Sequence, residues 1–178
     1  MLSTPILSAS RNLMAFGMRK ARSSDSERVS KMSRLELKNV VFTGRDQAEA
    51  SAAWAHWAVI SISGLNPANL KEGWHSVLRL EFDDIDVEEE PYILFNESQA
   101  EQIINFVTEA FDSHEVEGIL IHCQAGISRS AAVAKWIAER YGLPFPNKYS
   151  LYNKHVYRVL RSAMMGRRLA NGLWEPMR

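Results

Sequence analysis

Gly118-Ile119-Leu120-Ile121-His122-Cys123-Gln124-Ala125-Gly126-Ile127-Ser128-Arg129-Ser130 is the stretch on which the fold turns. Its first four residues form a short apolar run of the kind a buried parallel strand needs. Beyond it, residues 131–140 are mostly good helix formers, and Gly142 and Pro144 end that run. The residues between are a loop from a strand end to a helix start. Such a loop aims several backbone N–H groups at one spot, close to the positive end of the helix dipole, and holds an anion there. Cys123 stands at the loop's entrance and Arg129 at its exit, and Gly126 lets the backbone curl between them.

Outward from this loop, strand-like and helix-like segments alternate. Residues 35–42, 56–62 and 75–82 read as strands, each short, apolar or alternating, and closed by turn residues. Thr43 or Asp46 is placed to cap a helix over 47–54. Asn96 opens a longer helix with Gln99 as its capping-box partner, and Ala100, Ile103, Ile104, Val107 and Phe111 recur on one face. A last helix is expected from about residue 149 to 163. The alternation predicts an α/β fold: a mainly parallel central sheet of four to five strands flanked by helices. Ligands of such sheets sit beyond the carboxyl ends of the strands. Both the cysteine loop and the acidic loop over 83–91 fall at that end.

The chain's 178 residues suit one domain, expected over 34–165. It is flanked by a basic, Ser- and Arg-rich tail at 1–33 and a basic tail at 166–178. The first tail also has the composition of an organelle transit peptide. A flexible tail, or an upstream start before Met32, is the preferred reading, with a cytoplasmic location rather than an organelle-targeted one. Zero formal net charge argues against nucleic acid as the main partner. No apolar stretch is long enough to span a bilayer. One cysteine allows no internal disulfide and no Cys-rich zinc site, and it suits a reducing compartment. Of the five tryptophans, most are read as core, with Trp74 the one to watch.

Cysteine, five residues, then arginine, with His122 before and Ser130 after, resembles the signature of the cysteine-dependent protein tyrosine phosphatases. The likeness is nearest to the dual-specificity type and its small microbial relatives. It is specific in the loop and looser over residues 35–163. The resemblance implies hydrolysis of phosphotyrosine, and of phosphoserine or phosphothreonine, in a protein or peptide substrate, through a phosphocysteine intermediate and with no cofactor and no metal. Cleaving a phosphate ester needs a nucleophile, a cradle for three oxygens and a proton for the leaving oxygen. Cys123 is the nucleophile, favoured as thiolate by the loop N–H groups, the helix terminus and Arg129. The planar fork of Arg129 can grip two phosphate oxygens. The backbone of Gln124, Ala125, Gly126, Ile127, Ser128 and Arg129 takes the rest.

By the same resemblance, Ser130 gives its hydroxyl to the sulfur and helps the thiolate leave. His122 orients the loop through backbone hydrogen bonds and moves no proton. The Ser128 side chain has no assigned role, serine being tolerated in a tight turn. The general acid is a carboxyl on a separate loop, with Asp83, Asp84 and Asp86 as candidates. Laying residues 77–84 against the family pattern without gaps puts Asp84 on the acid, with Asp86 next and Asp83 last. The chain lacks the Trp-Pro-Asp triplet of the large tyrosine phosphatases. Other occupants of the same signature fit less well. Inositide phosphatases carry lysines in the loop where this chain has none, and an RNA phosphatase needs a basic and aromatic groove. A phosphate-binding module without catalysis would dispense with the cysteine or the acid.

Overall fold

The computed structural model describes residues 38–170. The tail expected at 1–33, the first residues of the expected first strand and residues 171–178 lie outside that range. Four strands alternate with helices: β1 (Asn39–Gly44), α1 (Arg45–Ala50), β2 (Trp57–Ser63), β3 (Ser76–Glu81), α2 (Glu97–Asp112), β4 (Gly118–Cys123), α3 (Arg129–Tyr141) and α4 (Lys154–Ala170). The sheet is four-stranded and all-parallel, in the order β1-β4-β2-β3. The protein is therefore α/β with a parallel sheet flanked by helices, as the alternation predicts.

Burial follows from position in the sheet. β4 lies between β1 and β2, and all six of its residues are buried, which is why it reads as an unbroken apolar run. One sheet face packs against α2, α3 and α4. Val40, Phe42, Ile60, Ile62, Ile119, Ile121 and Cys123 point into that core. The other face carries Val41 and Leu120 beneath α1 and the indoles of Trp54, Trp57 and Trp74. α2 supplies Ile103, Ile104 and Val107 to the core, each worth about 1.5–3 kcal/mol on leaving water. Its capping box forms as read: Gln99 N–H donates to Asn96 Oδ1 at 3.1 Å, and Asn96 N–H donates to Gln99 Oε1 at 3.0 Å.

Four helix boundaries differ from expectation. α1 begins at Arg45, and neither Thr43 nor Asp46 caps it: its cap is Gly44, with no side-chain bond. It stops at Ala50 because Ser51 turns back onto Gln47 O and Trp54 stacks edge-on against Trp57, with ring centroids 5.0 Å apart. The last helix starts at Lys154 rather than near Tyr149, because residues 149–153 form a bend that holds the cysteine loop. That helix runs on to Ala170, past the domain boundary expected at 165. Trp136 is core as read, whereas Trp54 is half exposed.

Candidate active site

β4 ends at Cys123 and α3 begins at Arg129, so the five residues between must reverse the chain over the carboxyl edge of the sheet. Gly126 makes this possible with φ at +73°. It also lies hard against β1: a Cβ there would stand 2.2 Å from Gly44 N and 2.4 Å from the Thr43 carbonyl carbon. Gly126→Ala is therefore expected to cost more than about 3 kcal/mol, from strain and backbone clash together. Urea unfolding checks this; a midpoint equal to the parent's means the loop does not depend on that seat against β1.

The loop's carbonyls are held from outside. Gln124 O accepts from Arg45 N at 3.2 Å, Ile127 O from the Tyr149 hydroxyl at 2.7 Å, and Ser128 O from Asn153 N at 3.1 Å. A trans peptide sets its N–H opposite its C=O, so the N–H groups of Ala125, Ser128 and Arg129 face away from those partners, toward the loop's interior. Gly126 N–H donates to Cys123 Sγ at 3.3 Å, and Ser130 Oγ lies 3.2 Å from the same sulfur. Cys123 is 2 % exposed and is the chain's one cysteine.

Arg129 is 7 % exposed, and its Nη1 donates to Phe82 O, just past β3, at 2.6 Å. Its Nε is buried and meets no acceptor among the described residues. The guanidinium is thus anchored at one corner and keeps a donor edge for an anion. Ser128 is the N-cap of α3, yet its side chain makes no cap bond. Its hydroxyl donates instead to Asp84 Oδ1 at 2.8 Å. This leaves the first-turn N–H groups of α3 open to an anion, and it corrects the reading of Ser128 as a mere turn residue.

The three acidic candidates part company. Asp83 closes its own loop: its N–H donates to Ile93 O at 2.8 Å, and its Oδ2 accepts from Ile93 N at 2.8 Å. Asp84 reaches the cysteine loop through Ser128, and its Oδ1 also accepts from Asn153 Nδ2 at 2.9 Å. Asp86 lines a cleft of about 300 Å³ beside them, together with Asp84, Ser128, Tyr152 and Asn153. Asn153 is the site residue the sequence reading missed. The signal for it was there: an Asn directly ahead of Lys154-His155-Val156 is a helix N-cap pattern.

His122 departs from the role the resemblance implied. Both ring nitrogens are buried and neither reaches a hydrogen-bond partner among the described residues, so the expected bonds to the loop backbone are not made. The ring points to the α1 face, beside Ser61, its register partner on β2. Burial pushes its pKa down to about 4, with the charges of Arg45 and Arg79 adding to the shift; the Cys123 backbone opposes it without reaching hydrogen-bond geometry. The imidazole is therefore neutral at pH 7. Below its ordinary value of 6.5 the unfolded chain binds a proton that the folded chain refuses. Stability contributed above pH 6.5 is lost as pH falls toward 4, by about 3 kcal/mol in all. Unfolding titrations should show this loss, with uptake of close to one proton midway through that window; a pH-independent midpoint there would contradict it.

Among the described residues, no group of His, Cys, Asp and Glu could hold a metal ion, and no helix is long and apolar enough to cross a membrane. What the arrangement can do chemically is hold an anion against a thiol. The sulfur meets the Gly126 N–H and the Ser130 hydroxyl where α3 begins, the buried Arg129 is the first residue of that helix, and the Asp84 carboxyl is tethered to its N-cap. No known family model matches the chain, and no curated protein matches it.

Proposed function

We propose that this protein is a phosphomonoester hydrolase of the cysteine-dependent tyrosine phosphatase type, acting on phosphotyrosine and also on phosphoserine or phosphothreonine of proteins. The observation that carries the reading is the environment of Cys123 Sγ, set between the Gly126 N–H and the Ser130 hydroxyl where α3 begins. In the first step the thiolate attacks phosphorus, the S–P bond forms and the ester P–O bond breaks. The departing oxygen takes its proton from Asp84. Arg129 and the loop N–H groups hold the three remaining oxygens. In the second step the Asp84 carboxylate takes a proton from water, which attacks phosphorus. The S–P bond breaks, the Ser130 hydroxyl stabilises the returning thiolate, and orthophosphate leaves. A reducing compartment, the cytoplasm, suits a chain with one cysteine and no second thiol to resolve its oxidation.

Phosphate release from a panel of phosphopeptides, inositides and nucleotides tests the substrate class. Release from phosphopeptides is the expected result, and release from inositides or nucleotides alone rules it out. Asp84→Asn tests the acid. A proton matters most to a poor leaving oxygen, so phenyl phosphate should slow by about 10²–10³-fold and a nitrophenyl phosphate far less. Asp86→Asn is the control. If that change yields the leaving-group dependence and Asp84→Asn does not, the acid is Asp86.

A further inference from the structure

Asn153 has every polar group engaged, and the partners lie on three separate parts of the chain. Its N–H donates to Ser128 O at 3.1 Å, in the cysteine loop, and its C=O accepts from Tyr157 N at 3.2 Å. Its Oδ1 accepts from Val156 N at 2.9 Å, which makes it the cap of α4. Its Nδ2 donates to Asp84 Oδ1 at 2.9 Å and lies 3.4 Å from Ile85 O, in the acidic loop. Asn153 is 5 % exposed, so little water competes for these bonds. The cap decides the orientation of the amide. An N-cap must present an acceptor to the helix, so the donor end is the one that faces the carboxyl. Asp would cap equally well but has no donor, and the Ser hydroxyl sits one bond nearer the backbone than Nδ2, too short to cap α4 and reach Asp84 at once.

The carboxyl is held by one oxygen. Ser128 Oγ and Asn153 Nδ2 both donate to Oδ1 of Asp84. Oδ2 makes no hydrogen bond among the described residues, which leaves it to carry a proton toward a leaving group. We propose that Asn153 is the positioning residue of Asp84, fixing which carboxyl oxygen delivers the proton and locking the acidic loop, the cysteine loop and α4 into one unit. This inference rests on the function proposed above.

The test separates the donor from the cap. Asn153→Ser keeps a capping oxygen and removes the amide, so its urea midpoint should stay near the parent's. Its kcat on phenyl phosphate should fall about tenfold, that on a nitrophenyl phosphate less than about twofold. Inhibition by vanadate should be unchanged, because the cysteine loop is intact. Asn153→Asp keeps both cap and outline but sets a second carboxylate against Asp84, and it should impair phenyl phosphate at least as much. In an Asp84→Asn background, Asn153→Ser should have no further effect on either ester, since the group it positions is gone. Equal loss on both esters, or loss that persists in that background, means a structural role and overturns the inference. So does parent-like activity of Asn153→Ser where Asp84→Asn shows its leaving-group dependence; the proposed function then stands without it. Absence of that dependence in Asp84→Asn itself removes the acid from the proposed mechanism, and the positioning role with it.

Discussion

Cys123→Ser should abolish turnover of an aryl phosphate, by at least about four orders of magnitude, while the protein still binds vanadate or phosphate. The reason lies in the surroundings of the sulfur. A Gly126 N–H at 3.3 Å and the Ser130 hydroxyl at 3.2 Å can stabilise a thiolate, but a serine hydroxyl at the same place stays protonated and is a poor nucleophile near neutrality. The cradle does not depend on the sulfur. Its N–H groups are set by Arg45, Tyr149 and Asn153 from outside the loop, so anion affinity should survive the substitution. Isothermal titration with vanadate beside a phosphate-release assay gives both halves of the result. Turnover equal to the parent's would remove Cys123 from the chemistry. Loss of binding together with turnover would mean that the sulfur is needed to shape the loop.

Arg129→Lys should lower kcat by about 10³-fold, with the larger share of the loss in kcat rather than in KM. Arg129 spends Nη1 on Phe82 O at 2.6 Å, and its buried Nε has no acceptor among the described residues. A guanidinium can keep the first bond and still offer a parallel pair of donors to an equatorial oxygen pair. An ammonium has no such planar fork: where it satisfies Phe82 O, it addresses phosphate only as a point charge. In the loose transition state the transferring group flattens and its charge is spread over three equatorial oxygens, a geometry that a planar fork matches, so the missing fork matters most there. Steady-state kinetics over a range of substrate concentrations separates the two parameters. A lysine variant with near-parent kcat would show that no fork is required.

The parts of the fold that were legible are those with a local pattern. Gly118-Ile119-Leu120-Ile121 reads as a central strand because a strand covered on both faces has no polar side to show. Asn96 and Gln99 declare a helix start because the two residues that form the box lie three apart. Asp84, placed by laying residues 77–84 against the family pattern without gaps, is the candidate that reaches the cysteine loop. What stayed hidden is made of long-range side-chain contacts, which leave no period. Nothing near Ser128 announces that its hydroxyl serves a carboxyl on another loop. Nothing near Arg129 announces Phe82 O. The stretch from Tyr149 to Asn153 misleads for the same reason: its apolar residues continue the helical spacing of α4, while its polar groups are taken by Ile127 and Ser128. His122 shows a further limit: the family likeness implies bonds from its ring to the loop backbone, and among the described residues its buried nitrogens make none.

The strand order has a consequence for how the protein comes into being. Among the described residues β4 is the last strand, yet it lies between β1 and β2, which come before it. Until β4 is made, β1 and β2 both lack the strand that each pairs with along this edge in the finished sheet. A ribosome-bound chain that has released β1, β2 and β3 therefore carries an open slot with unsatisfied strand edges on both sides, the state most prone to wrong pairing. Closing the slot joins residues far apart in sequence, a slow step in any folding reaction. The same event carries Gly126 onto the end of β1 and sets the cysteine loop. Maturation of the site and completion of the sheet are thus one step, and recovery of the proposed phosphate release on refolding would be a direct clock for insertion of β4.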